Sequence, residues 1–284
     1  MTIVVLGATG KLGRQVLRGL RNRGAAGSEI IAAGRDLAKL SDQDSRAVRV
    51  DYDDPASLRV ALRGADRALL ISGTEPGRRV TQHAAAIDAA HQAGVGLLAL
   101  TSTPNATGAA MSMAEDHAAT ETLLRDSGIP FVILRNSMYL DLFVEQTVPV
   151  AVTRGVIVGA SGKGRISPAS RDDLGDAAAE VLTGEGHAGA VYELGGQRSY
   201  TMDEVAAAIA DRFGTAVEYR DVSAEEFKDV LLGQGVPERM AELFADTQLG
   251  IARGEMFVDT GDLSRLIGRP TQTLDEALAK ADLR

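Results

Sequence analysis

With 284 residues, 45% of them hydrophobic and 24% charged, the sequence can bury the core of one large domain or of a domain with a smaller lobe, and its composition is not that of a disordered chain. The 39 acidic against 30 basic side chains leave a net charge of −9, the wrong sign for tracking phosphate backbones, and there is no Trp for stacking single-stranded bases, so nucleic acid is not expected as a primary partner. The absence of cysteine removes thiolate nucleophiles, Cys-ligated zinc, iron–sulfur clusters and disulfides together, and fits a reducing compartment.

The chain opens on a strand at 2–6 that runs into a glycine-rich turn without a basic leader, and no apolar run approaches the ~18 residues of a membrane span; a cytoplasmic protein without a membrane partner is expected. Short apolar runs at 29–34, 47–52, 67–72, 96–102 and 131–136 each read as a further buried strand. Helical spacing lies between most of them, in Leu12, Val16, Leu17 and Leu20, then Leu58, Ala61 and Leu62, then Ala84 to Ala90. Regular alternation of this kind calls for a mostly parallel, doubly wound α/β sheet, because parallel neighbours need helical crossovers. Past Asn136 the pattern changes to a helical stretch near 138–153, a glycine-rich run at 155–164, a helix opened by Arg171-Asp172-Asp173, and a strand at 190–196. From Thr201 it reads as helix, strand at 216–222, helix and a polar tail. The expected division is a Rossmann-type dinucleotide-binding core at 1–136, rejoined by the strand near 190–196, and a smaller interwoven α/β substrate lobe at 137–284.

The turn after the first strand spaces Gly7, Gly10 and Gly13 as G-x-x-G-x-x-G and opens a helix. In that context the glycines let the chain reverse, let backbone N–H groups approach a pyrophosphate, and let helix pack on strand, which makes Gly7, Thr9, Gly10, Lys11, Leu12 and Gly13 the first cofactor-binding candidates. The second strand ends in Gly34-Arg35 where an acidic residue would take a ribose 2′-hydroxyl; Arg35 instead offers a fixed cation to a 2′-phosphate, with Lys11 or Lys39 as a second one. NADPH is therefore expected over NADH. Asp51-Tyr52 ends the third strand, where the pair either brackets adenine or forms a strand-end turn ahead of Asp53-Asp54-Pro55.

Many enzymes that open this way reduce carbonyls through a helical Tyr-x-x-x-Lys pair, yet the residues four places after Tyr52, Tyr139, Tyr192, Tyr200 and Tyr219 are Ala56, Phe143, Gly196, Glu204 and Ser223. On the helix after the fifth strand, His117 and Glu121 share a face instead, either as a functional pair or as a local hydrogen bond near the cofactor. The 159–164 run GASGKG is too short for a phosphate loop and reads as an ordinary loop, and His83, His91 and His187 lack metal-ligand spacing, so no metal is expected.

GATGKLG, Arg35, TSTP at 101–104, HAATE at 117–121, ILRNSMY at 133–139 and AVYELGG followed by TMDEVA together resemble the NmrA-like atypical short-chain dehydrogenases across essentially the whole chain. ISGTEPGRR, AEDHAATETLLRDSGI and LRNSMY resemble in particular the bacterial type 2 NAD(P)H:quinone oxidoreductases. The resemblance implies NADPH bound without flavin and a quinone-like small molecule held between the lobes. It further implies that Ser72, Gly73, Thr74, Thr101, Ser102 and Glu121 lie near the cofactor, and that Asn136, Tyr139 and His117 lie at the reacting end. The same family contains regulators that bind dinucleotide and do no chemistry, so a redox sensor is the alternative to a reductase; the oligomeric state is not legible.

Overall fold

Every side chain of β1 (Ile3–Leu6) is out of reach of solvent, Ile3 and Val5 on one face of the sheet and Val4 and Leu6 on the other. Burial on both faces is what a central parallel strand requires. The computed structural model describes residues 1–40, 45–73, 75 and 77–281. In them β2 (Ile30–Gly34), β3 (Arg46–Arg49), β4 (Arg67–Leu70), β5 (Leu97–Ser102), β6 (Phe131–Asn136) and β8 (Val191–Leu194) join β1 in a sheet of order β3-β2-β1-β4-β5-β6-β8, parallel at every pairing. The chain crosses from β2 and β3 on one side of β1 to β4 on the other. The resulting switch point opens a crevice at the carboxyl ends of β1 and β4.

Helices cover both faces. α1 (Lys11–Asn22), α7 (Arg171–Thr183) and α11 (Asp262–Ile267) bury Val16, Leu17, Leu174, Ala178 and Leu263 on the Ile3/Val5 side, while α2 (Pro55–Leu62), α3 (Arg79–Gln92) and α4 (Ser112–Asp126) bury Leu58, Leu62, Ile87, Ala90 and Leu124 on the other. The α1–α7 contact is unusually close: a Cβ on Gly19 would lie 2.9 Å from the Ala179 Cβ, and one on Gly175 would lie 2.7 Å from the Gln15 Cβ. That approach carries the first residue of α7, Arg171, up to the glycine-rich turn.

The rest of the second half surrounds its own core. α5 (Leu140–Leu142), a π-helical turn (Phe143–Thr147) and α6 (Val148–Arg154) pack with α8 (Met202–Phe213) and α12 (Leu274–Ala279) around Leu140, Phe143, Val148, Val205, Ile209 and Leu274. β7 (Val156–Gly159) and β9 (Glu218–Asp221) form a separate parallel pair flanked by α9 (Ala224–Gly233) and α10 (Glu238–Ala252). No helix among the described residues is long and apolar enough to cross a membrane.

Two expectations are corrected, and one stretch to which the sequence assigned no element gains one. The third strand is not buried but is the edge strand, and it stops at Arg49, so Val50, Asp51 and Tyr52 lie beyond it in the crevice wall. The glycine-rich run at 155–164 begins with a strand, β7. The presumed polar tail holds α10, α11 and α12; α10 buries mostly small side chains, Ala241 and Ala245 among them, and so lacks the Leu/Val stripe by which a helix is read from sequence.

Candidate active site

A cavity of about 330 Å³ occupies the switch-point crevice. Its floor is the glycine turn. Gly7 adopts φ +87°, and the N–H groups of Gly7 and Ala8 both donate to the Ala33 carbonyl, at 3.0 and 2.9 Å, which ties the turn to the end of β2. A Cβ on Gly13 would come within 2.4 Å of the Gly7 carbonyl oxygen, so only glycine lets α1 start this close beneath the turn. Thr9, Gly10, Lys11 and Leu12 complete the floor.

One end is built by Arg35, Asp51 and Tyr52. Arg35 is mostly exposed and its Nη1 donates to Glu75 Oε1 at 3.1 Å; Arg78 shares Glu75 at 3.5 Å and pairs with Asp53 at 2.7 Å. Tyr52 donates its hydroxyl to the Ile71 carbonyl at 2.8 Å, and burial raises its pKa. Asp51 both faces the cavity and accepts the Asp53 N–H at 3.1 Å, so the two readings of that segment are compatible. Lys39 is not a wall of the cavity and pairs with Asp36 at 3.5 Å.

Ser72 and Gly73, past β4, form the next wall. The Ser72 N–H donates to Thr101 Oγ1 at 2.9 Å, and both backbone groups of Gly73 are held from α3: its N–H donates to His83 Nε2 at 3.1 Å and its carbonyl accepts from Arg79 Nε at 3.1 Å. Because His83 Nε2 accepts, its proton is on Nδ1 and is donated to Thr120 Oγ1 at 3.0 Å. Burial first, and then the Arg79 cation, hold His83 neutral, with a pKa of about 3. Thr101 therefore acts behind the wall rather than in it. Thr74 lies outside the described residues.

The far end is formed by Tyr139 and Arg171, the guanidinium carbon of Arg171 standing 4.7 Å from the centre of the Tyr139 ring. Burial raises the Tyr139 pKa, against the lowering pull of Arg171 and of a hydrogen bond from the Asn136 side chain. Asn136, beside Tyr139, and His117, near Arg79 and His83 of the Gly73 wall, do not line the cavity. Both are buried, and Asn136 Oδ1 and His117 Nδ1 have no hydrogen-bond partner among the described residues. Burial, then Arg79 and His83, hold His117 at a pKa of about 3. His117 and Glu121 do not act as a pair. The Glu121 carboxylate, 1% exposed, accepts from Ser102 Oγ at 2.7 Å and from Arg135 Nε and Nη2 at 2.9 and 2.7 Å, so Ser102 and Glu121 are joined to Arg135 and not to the cavity. The cavity walls also include Glu75, Gln82 and Arg171, which the sequence reading passed over.

The chain matches the NAD(P)H-binding family model over residues 7–185. It is 39% identical over 280 residues to Quinone oxidoreductase 2 of Escherichia coli (strain K12), the match covering 98% of this chain and 97% of that protein. The crystal structure of the Escherichia coli NADPH-dependent quinone oxidoreductase complexed with NADPH superposes with a TM-score of 0.94 at 39% identity, covering 98% of this chain and 99% of that one. Citrobacter sp. triphenylmethane reductase complexed with NADP(H) superposes with a TM-score of 0.93 at 36% identity, covering 99% and 100%.

Proposed function

The chain belongs to the NAD(P)H-binding family and, within it, to the NmrA-like atypical short-chain dehydrogenases, and from that premise we propose that it is an NADPH-dependent, flavin-free reductase of quinones or similarly electron-poor small molecules. The observation that carries this reading is the continuity of one cavity from Arg35, across the glycine turn, to Tyr139 and Arg171 of the second half. A dinucleotide laid along the turn with its 2′-phosphate at Arg35 would run toward Tyr139 within this one cavity. The residues fit such a group: glycine at 13 lets α1 start close beneath the turn, so that Lys11, Leu12 and Gly13 of its first turn line the floor where a pyrophosphate would lie. We place the reaction in the cytoplasm and on a small molecule, readings supported by a cysteine-free composition and a net charge of −9.

When bound, reduced nicotinamide supplies the hydride. The chain's own residues bind and orient. Backbone N–H groups at the start of α1 take the pyrophosphate. Gly73, clamped by His83 and Arg79, fixes one wall. Tyr139 would set the reacting end, held from behind by the Asn136 side chain. No Tyr-x-x-x-Lys acid is needed, because hydride addition to a quinone leaves a phenolate-like anion whose conjugate acid lies near the ~10 of tyrosine, and water can protonate it. Orientation of the two rings then becomes the main task.

The direct test mixes the purified protein, NADPH and a simple benzoquinone and follows the absorbance of the reduced nicotinamide. Oxidation well above the protein-free rate is expected. Tight dinucleotide binding with no such oxidation would overturn the enzyme reading and leave a binding protein.

His117 is expected to be a positioning residue. At a pKa of about 3 its ring is neutral and carries no imidazolium proton to deliver, so His117→Ala should leave the shape of the pH profile of turnover unchanged across about pH 5 to 8, where an ordinary histidine titrates. His117→Ala should keep kcat within about tenfold of the parent and raise KM, whereas loss of an essential general acid costs about 10²–10⁴. A hundredfold fall in kcat restored by added imidazole would refute this.

A further inference from the structure

Resting on the cofactor reading above, we propose that Arg171 joins Lys11 as a cation pair for the cofactor's pyrophosphate, and that Glu145 is an internal carboxylate that occupies this pair until the dinucleotide displaces it. Lys11 and Arg171 both line the cavity, one from the glycine turn and one from the start of α7. Glu145 lies on the π-helical turn Phe143–Thr147 and reaches both: its Oε2 is 2.6 Å from Lys11 Nζ and its Oε1 is 3.3 Å from Arg171 Nη1. A single carboxylate thus bridges two cations at the edge of a crevice whose floor is already built of backbone donors.

Arg171 is not an ordinary surface arginine. Its side chain is 8% exposed and lies over the Tyr139 ring. It is also the first residue of a 13-residue helix, the end at which the helix dipole favours anions and opposes cations. A buried cation kept against that field is explained by an anion that it serves. Asp141, which accepts the Arg171 N–H at 2.9 Å and stands 3.6 Å from Nη1, remains as a counter-ion when Glu145 leaves. The Lys11–Glu145 pair is half exposed, at 57% and 37%, so it holds weakly and yields to a doubly charged group that also gains the N–H groups opening α1. π-helical turns recur at functional sites, and here the turn is what aims Glu145 across the lobes.

The test measures equilibrium binding to the full chain of NADPH, NADH and 2′-AMP, which carries the 2′-phosphate but no pyrophosphate. Glu145→Gln removes the competitor and keeps the shape. It should tighten NADPH and NADH alike by about three- to tenfold at low ionic strength, with the gain shrinking in high salt, and leave 2′-AMP unchanged. Arg171→Lys, which keeps the charge but not the reach, should weaken both dinucleotides without moving 2′-AMP. In the double variant most of the gain from Glu145→Gln should vanish. Unchanged or weaker dinucleotide binding in Glu145→Gln, or an equal gain for 2′-AMP, overturns the proposal while the parent's NADPH binding leaves the cofactor reading standing. A parent that binds neither dinucleotide overturns both.

Discussion

Arg135→Leu is expected to lower the unfolding free energy by about 3–5 kcal/mol, the cost of removing one partner from a buried ion pair. Arg135 is 9% exposed on β6 and ties four elements together: Nε and Nη2 grip both oxygens of Glu121 on α4, Nη1 donates to Glu193 Oε1 of β8 at 2.8 Å, and Ser102 of β5 completes the Glu121 shell. The bonds to Glu121 and Glu193 raise the Arg135 pKa, so the cation is fully present at every working pH. Without it, Glu121 at 1% exposure keeps Ser102 and a distant Arg125 at 3.7 Å, too little to replace a bidentate guanidinium. For a chain of this size the loss corresponds to a fall in Tm on the order of 10 °C, readable in a thermal or denaturant melt. The double variant Glu121→Leu with Arg135→Leu should recover much of the loss, because a well-packed apolar pair removes the stranded charge. A single variant within about 1 kcal/mol of the parent would show that Glu193 and water already suffice.

The features legible in the sequence were those that depend on local spacing. The β1–turn–α1 unit is written in Ile3–Leu6, three glycines at fixed intervals and the Leu12/Val16/Leu17/Leu20 stripe, all within the first twenty residues. The strand at 190–196 was legible for its apolar run, and the sheet does take β8 beside β6. What failed depended on partners distant in sequence. That 46–49 is an edge strand follows from strand order, which no local pattern encodes. The face shared by His117 and Glu121 suggested a pair, but Glu121 is claimed by Arg135, fourteen residues away, and His117 is left with an unpartnered Nδ1. In the sequence Arg171 is part of a helix start and no more; its place in the cavity arises from the glycine-mediated approach of α7 to α1. The run Gly77-Arg78-Arg79 is the sequence signal for the charges around Gly73 and Glu75, but nothing local shows which backbone or carboxylate each arginine reaches.

Arg35→Ala is expected to weaken NADPH binding by about 10- to 150-fold and to leave NADH nearly unchanged, the equivalent of one charge-assisted contact worth about 1.5–3 kcal/mol. The geometry favours the lower part of that range. Arg35 is 65% exposed and its Nη1 already bonds Glu75, so binding a 2′-phosphate exchanges one anion for another in water-rich surroundings. The phosphate still wins because it carries up to two charges against one and presents three acceptor oxygens to a planar donor fork. The fork, and not charge alone, sets the preference, so Arg35→Lys should recover only part of the affinity. Arg78 and Lys39 both stand outside the cavity lining and both are paired, but Arg78 shares Glu75 with Arg35 at 3.5 Å and so is the cation joined to Arg35 through a common carboxylate, whereas Lys39 is held by Asp36. Arg35→Ala combined with Arg78→Ala should therefore cost NADPH more than the single change, while adding Lys39→Ala should cost nothing further. Calorimetric titration of both cofactors into each variant decides the matter. Equal weakening of NADPH and NADH, or no change in either, would mean that the 2′-phosphate is not read at the end of β2.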